Sequence, residues 1–244
     1  MISEMKWGLI VIFLYGVVAC TSEHTETVKP DTTSSQKVSD SQDGSLFVSN
    51  VNPGKPSLGK DKAPESTISR WRHAGLDDAD LWETKTREAI LKYGHYLLEV
   101  IPVDILDFCP AYAGFSFEKK TQFWIFMLSA ISEFESGHRP ELEYRERFRN
   151  KFGEHVRSRG LLQLSRESVI GYGCEFSSEC DLHDPVMNLE CGVIILNRWI
   201  GKDRRITGRY NRGWRGGARY WSILRDDSKL RQIKIWTQES GFCR

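Results

Sequence analysis

The run from Phe123 to Ile131 constrains this chain most, because almost every residue in it is apolar. A helix that is apolar all round has to be enclosed on every side, so the rest of the domain is expected to pack around this one. Ser116 can cap its start, Gly137 suits its end, and Pro140 forbids its continuation. The last turn reads Phe134-Glu135-Ser136-Gly137, which sets a carboxylate at the end of a core helix.

Helical spacing recurs elsewhere. Asp77 to Val100 carries apolar residues at Leu81, Ala89, Ile90, Tyr93, Leu97 and Leu98 behind a cluster of aspartates, and reads as one long amphipathic helix. Shorter helices are expected from Ser165 to Ile170, Asp184 to Ile200, Trp214 to Leu224 and Ser228 to Glu239. Strand-like alternation is sparse, with room for one small hairpin in the charged stretch between Glu143 and Arg157. The fold class is therefore mainly α, an α+β domain with a minor sheet.

The amino-terminal quarter has a different character. Lys6 precedes an apolar run from Trp7 to Ala19 that is too short for a permanent membrane helix and reads as a secretory signal, residues 1–19. It ends in Val17-Val18-Ala19-Cys20, which resembles a bacterial lipobox, so Cys20 is the expected lipidation site and mature amino terminus. Residues 20–66 are rich in Ser, Thr, Asp, Lys, Gly and Pro, the composition of a flexible tether that would reach on the order of 100 Å when extended. Residues 67–244 form the expected globular domain. The protein is thus expected to be exported, either anchored by lipid at the outer membrane or periplasm, or secreted.

With 34 basic against 33 acidic side chains, the chain lacks the charge signature of a nucleic-acid binder. Its basic residues concentrate late, from Arg204 to Arg231, as a solvated face or as contacts to anionic stem peptides. An exported domain favours disulfides. Cys109, Cys174, Cys180, Cys191 and Cys243 are five, which cannot all pair with one another; Cys174 and Cys180 close a short loop and are the first expected pair, although spacing does not decide connectivity. A zinc site from Cys174, Cys180, His183 and Cys191 matches no common ligand spacing, and no phosphate-cradling loop is evident, so neither metal nor other cofactor is expected.

A carboxyl desolvated at the end of a buried helix has a raised pKa and stays protonated near neutrality, as a general acid for glycoside cleavage must. Around Glu135, four blocks in order resemble the lysozyme-like lytic transglycosylases of the soluble-lytic-transglycosylase type, with goose-type lysozymes more distant. Ile131 to Pro140 is similar to the family's catalytic helix end, in which the Glu before Ser is the acid, here Glu135 followed by Ser136. Ser158-Arg159-Gly160-Leu161-Leu162-Gln163-Leu164 resembles the segment whose Gln lines the cleft, which makes Gln163 a sugar-binding candidate. Leu182 to Gly192 resembles an Asp-Pro-x-x-Asn helix start, and Arg209-Tyr210-Asn211-Arg212-Gly213-Trp214 resembles the segment whose Tyr reaches the catalytic carboxyl and whose Asn shapes the cleft. The resemblance implies a lysozyme-like fold, substrate contacts from Ser136, Gln163, Tyr210 and Asn211, and peptidoglycan glycan strands as substrate. Arg209, Trp214 and Arg215 depart from the family pattern.

A lytic transglycosylase needs one carboxylate, which protonates the leaving oxygen and then takes a proton from the C6 hydroxyl to close an anhydro ring. A hydrolysing lysozyme needs a second carboxylate, for which Glu143 is the sequence candidate, its other reading being a surface residue paired with Arg. A rim of Glu133, Glu141 and Glu143 could also favour deacetylated over acetylated glycan. The competing reading is a wall-binding protein without turnover; a Cys-dependent peptidase lacks any recognisable nucleophile context.

Overall fold

The computed structural model describes residues 69–243. The expected signal segment, Cys20 and the tether lie outside the described residues. Among the described residues no helix is long and apolar enough to cross a membrane.

The apolar run forms the central helix α4, Phe117–Ser136, preceded in chain order by α1, Arg70–His73, α2, Ala79–Tyr93, and α3, His95–Glu99. Its start is capped by Ser116, whose side chain accepts from the Lys119 N–H, and residues 120–132 are all buried. At its end Gly137 takes a left-handed conformation, φ 61°, and its N–H and that of His138 close back on the Glu133 and Ser132 carbonyls.

The long helix expected from Asp77 to Val100 is instead two. The chain breaks at Gly94, where the Asn197 side chain accepts from the Tyr96 and Leu97 N–H groups at 2.7 and 3.3 Å and so starts a new helix. Asn197 belongs to α6, Pro185–Asp203, which packs against α2 and α3 and is capped by Asp184, as its Asp-Pro start suggested. The remaining helices are α5, Arg166–Tyr172, and α7, Asp227–Glu239.

No α-helix forms from Trp214 to Leu224. Gly216 sits at φ 61° with no room for a Cβ, which would lie 2.2 Å from the Arg205 carbonyl oxygen, and the chain passes through two 3-10 turns, Gly216–Arg219 and Ser222–Arg225. Two adjacent glycines remove the helical preference the spacing suggested.

The expected hairpin is present as β1, Glu143–Arg149, and β2, His155–Arg159, joined by a short third strand β3, Leu164–Ser165, in an antiparallel sheet ordered β1-β2-β3. Glu143 faces Arg159 and Tyr144 faces Ser158, with a register irregularity between Arg145 and Arg149. A two-stranded ribbon pairs β4, Arg209–Tyr210, with β5, Gly213–Trp214. The α+β class holds, helical with a minor sheet.

Three fully buried tryptophans lock the core. Trp71 donates to Ser132 Oγ at 2.8 Å, Trp124 to the Leu97 carbonyl at 2.6 Å and Trp221 to the Leu162 carbonyl at 3.1 Å, so each buries its ring without orphaning its N–H. Disulfides join Cys109 to Cys243 and Cys174 to Cys191. The second replaces the expected Cys174–Cys180 pair: α6 carries Cys191 to a Cα distance of 5.4 Å from Cys174, ordinary disulfide range. It also removes two thiolates from the four-ligand zinc alternative, and no cysteine among the described residues is free. The Cys109–Cys243 link closes a loop of 134 residues, and removal of so much unfolded-chain entropy is worth about 5 kcal/mol on the loop-closure estimate.

Candidate active site

Glu135 lies in the last turn of α4, and three other elements bring charged groups within electrostatic reach of it. Lys229 comes from the start of α7, Arg225 from the second 3-10 turn and Glu146 from β1. Burial pushes the Glu135 carboxyl up to about 7, with the Glu146 charge adding to the rise and the Lys229 and Arg225 charges opposing it. No hydrogen bond or ion pair among the described residues ties Glu135 down. The result is a carboxyl protonated near neutrality and free to deliver its proton.

Two of these neighbours are held in place by hydrogen bonds. Arg225 donates from Nε to the Ala218 carbonyl at 2.7 Å and from Nη2 to the Arg219 carbonyl at 3.0 Å, which fixes a cation beside Glu135 without neutralising it. Glu146 is half-buried and its Oε1 accepts from Ser158 Oγ at 2.7 Å. Tyr220 is electrostatically coupled to Glu135, and burial raises its phenol so that it stays neutral.

The second block holds the site floor. Gly160, φ 76°, has no room for a Cβ, because Asn188 packs there. Asn188 is fully buried, donates to the Arg159 and Leu182 carbonyls at 3.0 and 2.9 Å, and accepts from the Leu162 N–H at 2.8 Å. The third block therefore positions the second. Gln163 sits at φ 49°, a strained conformation for a side-chain-bearing residue, and its Nε2 donates to the Leu142 and Gly160 carbonyls. Its amide oxygen keeps its acceptor capacity.

Several expected site residues stand elsewhere. Ser136 is 2% exposed, and its hydroxyl is shared between the Ser132 and Leu161 carbonyls, so it splices α4 to the floor and does not present itself to a substrate. Glu143 is held by Arg157 and by Arg159 at 2.9 Å. Although burial works to raise it, the bonds and charges of these arginines hold its carboxyl below the usual range. Two of the three rim glutamates are thus neutralised, since Glu133 is bonded by Arg70 at 2.7 Å. Tyr210 is 62% exposed on the β4–β5 ribbon and Asn211 turns at φ 54° beside it; the tyrosine coupled to Glu135 is Tyr220.

Sequence reasoning passed over Glu146, Tyr220, Arg225 and Lys229. For Glu146 a signal existed: on a strand, positions 143 and 146 point to opposite faces, and Glu146 shares its parity with Tyr144. For the others no local signal exists, because they reach Glu135 through folding of distant segments. Among the described residues no three His, Cys, Asp or Glu side chains are grouped as a metal ion would require.

No protein-family model matches the chain, and no curated protein matches it. Solved structures do. They are three forms of Bd0314 DslA, a Bdellovibrio protein: a wild-type form at 43% identity and two Glu→Gln mutants at 42% and 41%, each with a TM-score of 0.70. The match covers 73% of this chain and 98% to 100% of each DslA chain. With that identity sustained over essentially the whole of its relative, the chain belongs to the DslA family.

Proposed function

We propose that this protein cleaves the glycan strands of peptidoglycan at the MurNAc-GlcNAc β-1,4 bond, with Glu135 as general acid. The observation that carries the reading is a buried carboxyl raised to about 7 at the end of the core helix, with a second carboxylate, Glu146 of the hairpin, within electrostatic reach. Glu135 protonates the glycosidic oxygen as the bond to C1 breaks, and the carboxylate it becomes is stabilised by Lys229 and Arg225. In this reading Glu146, bonded to Ser158 and close enough to Glu135 to raise its pKa, supplies the negative charge that an attacking water or an oxocarbenium-like centre needs. We therefore favour hydrolysis over the anhydro-forming route, which needs Glu135 alone. The two Glu→Gln forms of DslA support a two-glutamate site: their positions are eleven residues apart, the separation of Glu135 and Glu146.

The deciding experiment is digestion of acetylated and deacetylated peptidoglycan by the full chain and its Glu135→Gln form, with released sugars identified by mass. Reducing ends lost in the variant carry the hydrolytic reading, and anhydro ends lost in the variant carry the transglycosylase reading. Equal rates on the two glycans remove a deacetylation preference. No release from either glycan withdraws cleavage in favour of wall binding. We further propose export and anchoring through Cys20, supported by the lipobox-like residues 17–20; the mass of the mature amino-terminal peptide reports the acyl groups, and an unmodified Cys20 withdraws the anchor.

A further inference from the structure

The hairpin has a second face. Behind the strand that carries Glu146 lies a cavity of about 570 Å³ whose walls hold five guanidinium groups, from Arg145, Arg149, Arg157, Arg159 and Arg166. None of them belongs to the group of charges around Glu135. The separation follows from strand geometry: Glu143 and Arg145 share one face of β1 with the arginines of β2, while Tyr144 and Glu146 share the other with Ser158.

Part of this charge is already matched. Arg159 bridges Glu143 and Glu179, Arg157 bonds Glu143, and Arg166 lies 3.7 Å from Glu179. Glu154 and Glu167 both receive a hydrogen bond from Asn150. Set against Glu143, Glu154, Glu167 and Glu179, the five guanidinium groups leave one net positive charge. Among the described residues Arg145 has no ion pair or hydrogen bond, and Arg149 bonds only the Gly153 carbonyl, at 2.5 Å. Two guanidinium forks that no carboxylate of the described residues pairs, in a polar cavity that size, fit a ligand carboxylate, which guanidinium binds through paired hydrogen bonds.

We propose that this cavity is a peptide-reading site, which takes the carboxylates of the peptide stems carried by the glycan in the cleft. The assignment rests on the proposed function for its substrate, and the reach is available. Among the described residues β1 is an edge strand, with no strand of the sheet beyond it. Crossing one layer takes about 10 Å, and a stem of four or five residues spans roughly 13 to 18 Å. A glycan held on the Glu146 face can thus drop a stem over the β1 edge into the arginines behind it. Such a site would select stem-bearing glycan over stripped strands.

The test is titration of the full chain with a synthetic acidic stem tetrapeptide, with the same peptide carrying carboxamides, and with inorganic phosphate. Saturable binding of the acidic peptide is expected, weaker by at least tenfold for the carboxamide form and by about tenfold in Arg145→Gln and in Arg149→Gln. Unchanged thermal unfolding of these variants would show that the exposed substitutions leave the fold intact. No saturable binding, equal binding of the carboxamide peptide, or indifference to both substitutions overturns the proposal, and phosphate displacing the peptide at equal concentration reassigns the cavity to a phosphate ligand. The readout does not depend on cleavage. A protein that binds stems but cuts no glycan keeps this site and loses the proposed function; one that cuts glycan and ignores stems does the reverse.

Discussion

Glu133 and Glu135 stand two residues apart on one helix and lead different chemical lives. A step of two residues rotates a side chain by about 200°, so the two carboxylates leave the helix on opposite sides. Glu133 meets Arg70, which donates from Nε at 2.7 Å and from Nη2 at 3.1 Å while stacking its guanidinium 4.0 Å over Trp236. Glu135 meets no bonding partner among the described residues, and burial raises its pKa to about 7. Pairing makes the first a clamp between α1, α4 and α7; the lack of it makes the second an acid. The hairpin repeats the lesson, with Glu143 locked by Arg157 and Arg159 on one face and Glu146 coupled to Glu135 from the other.

The sharpest way to break this contrast is to neutralise each glutamate in turn. Glu135→Gln is expected to lower glycan cleavage at least 10³-fold, about 4 kcal/mol of transition-state stabilisation, measured as released sugars. A residual rate within tenfold of the original would remove Glu135 from the chemistry. The same substitution should have the opposite effect on stability. A carboxyl whose folded pKa is raised from 4.5 to about 7 favours the folded state in acid, and that advantage is lost as pH rises between those values. Above pH 7 the native chain should therefore be less stable than Glu135→Gln by up to about 3 kcal/mol, while the two converge below pH 4. Denaturant titrations at both pH values check this, and a pH-independent difference would argue against the raised pKa. The activity profile follows the same group, with kcat/KM falling as pH rises through about 7.

Glu146→Gln should cost about 10²-fold in cleavage, near 2.7 kcal/mol, with any remaining product shifted toward anhydro ends. Retention of full hydrolytic activity would leave Glu135 working alone. Glu133→Gln addresses the clamp: it leaves a half-buried Arg70 unmatched and should cost about 2 kcal/mol of stability at pH 7, read by denaturant midpoint. Glu143→Gln should have the smallest effect, under about 1 kcal/mol of stability and less than threefold in rate, because its pairs are partly solvent-exposed.

The sequence made the central helix, its Ser116 and Gly137 ends and the position of Glu135 legible, because each depends on residues within a few positions of one another. The Asp-Pro start of α6 and the Glu143–Arg157 hairpin were legible for the same reason. The misreadings have a common physical origin. One continuous helix from Asp77 to Val100 failed because Asn197, a hundred positions away, supplies the partner that starts α3. Ser136 reads as a site residue by its neighbours and turns out to be a buried splice to Leu161. The Cys174–Cys180 pair was favoured by spacing alone, and α6 brings Cys191 to bonding distance of Cys174.

Local patterning thus determined that this chain has a buried helix ending in an acid. Tertiary structure decided what that acid would face: Glu146 from a strand, Arg225 from a turn and Lys229 from the last helix. A carboxyl's pKa is set by the dielectric and charges within a few ångströms of it, and those neighbours are recruited from across the sequence, where no local pattern records them.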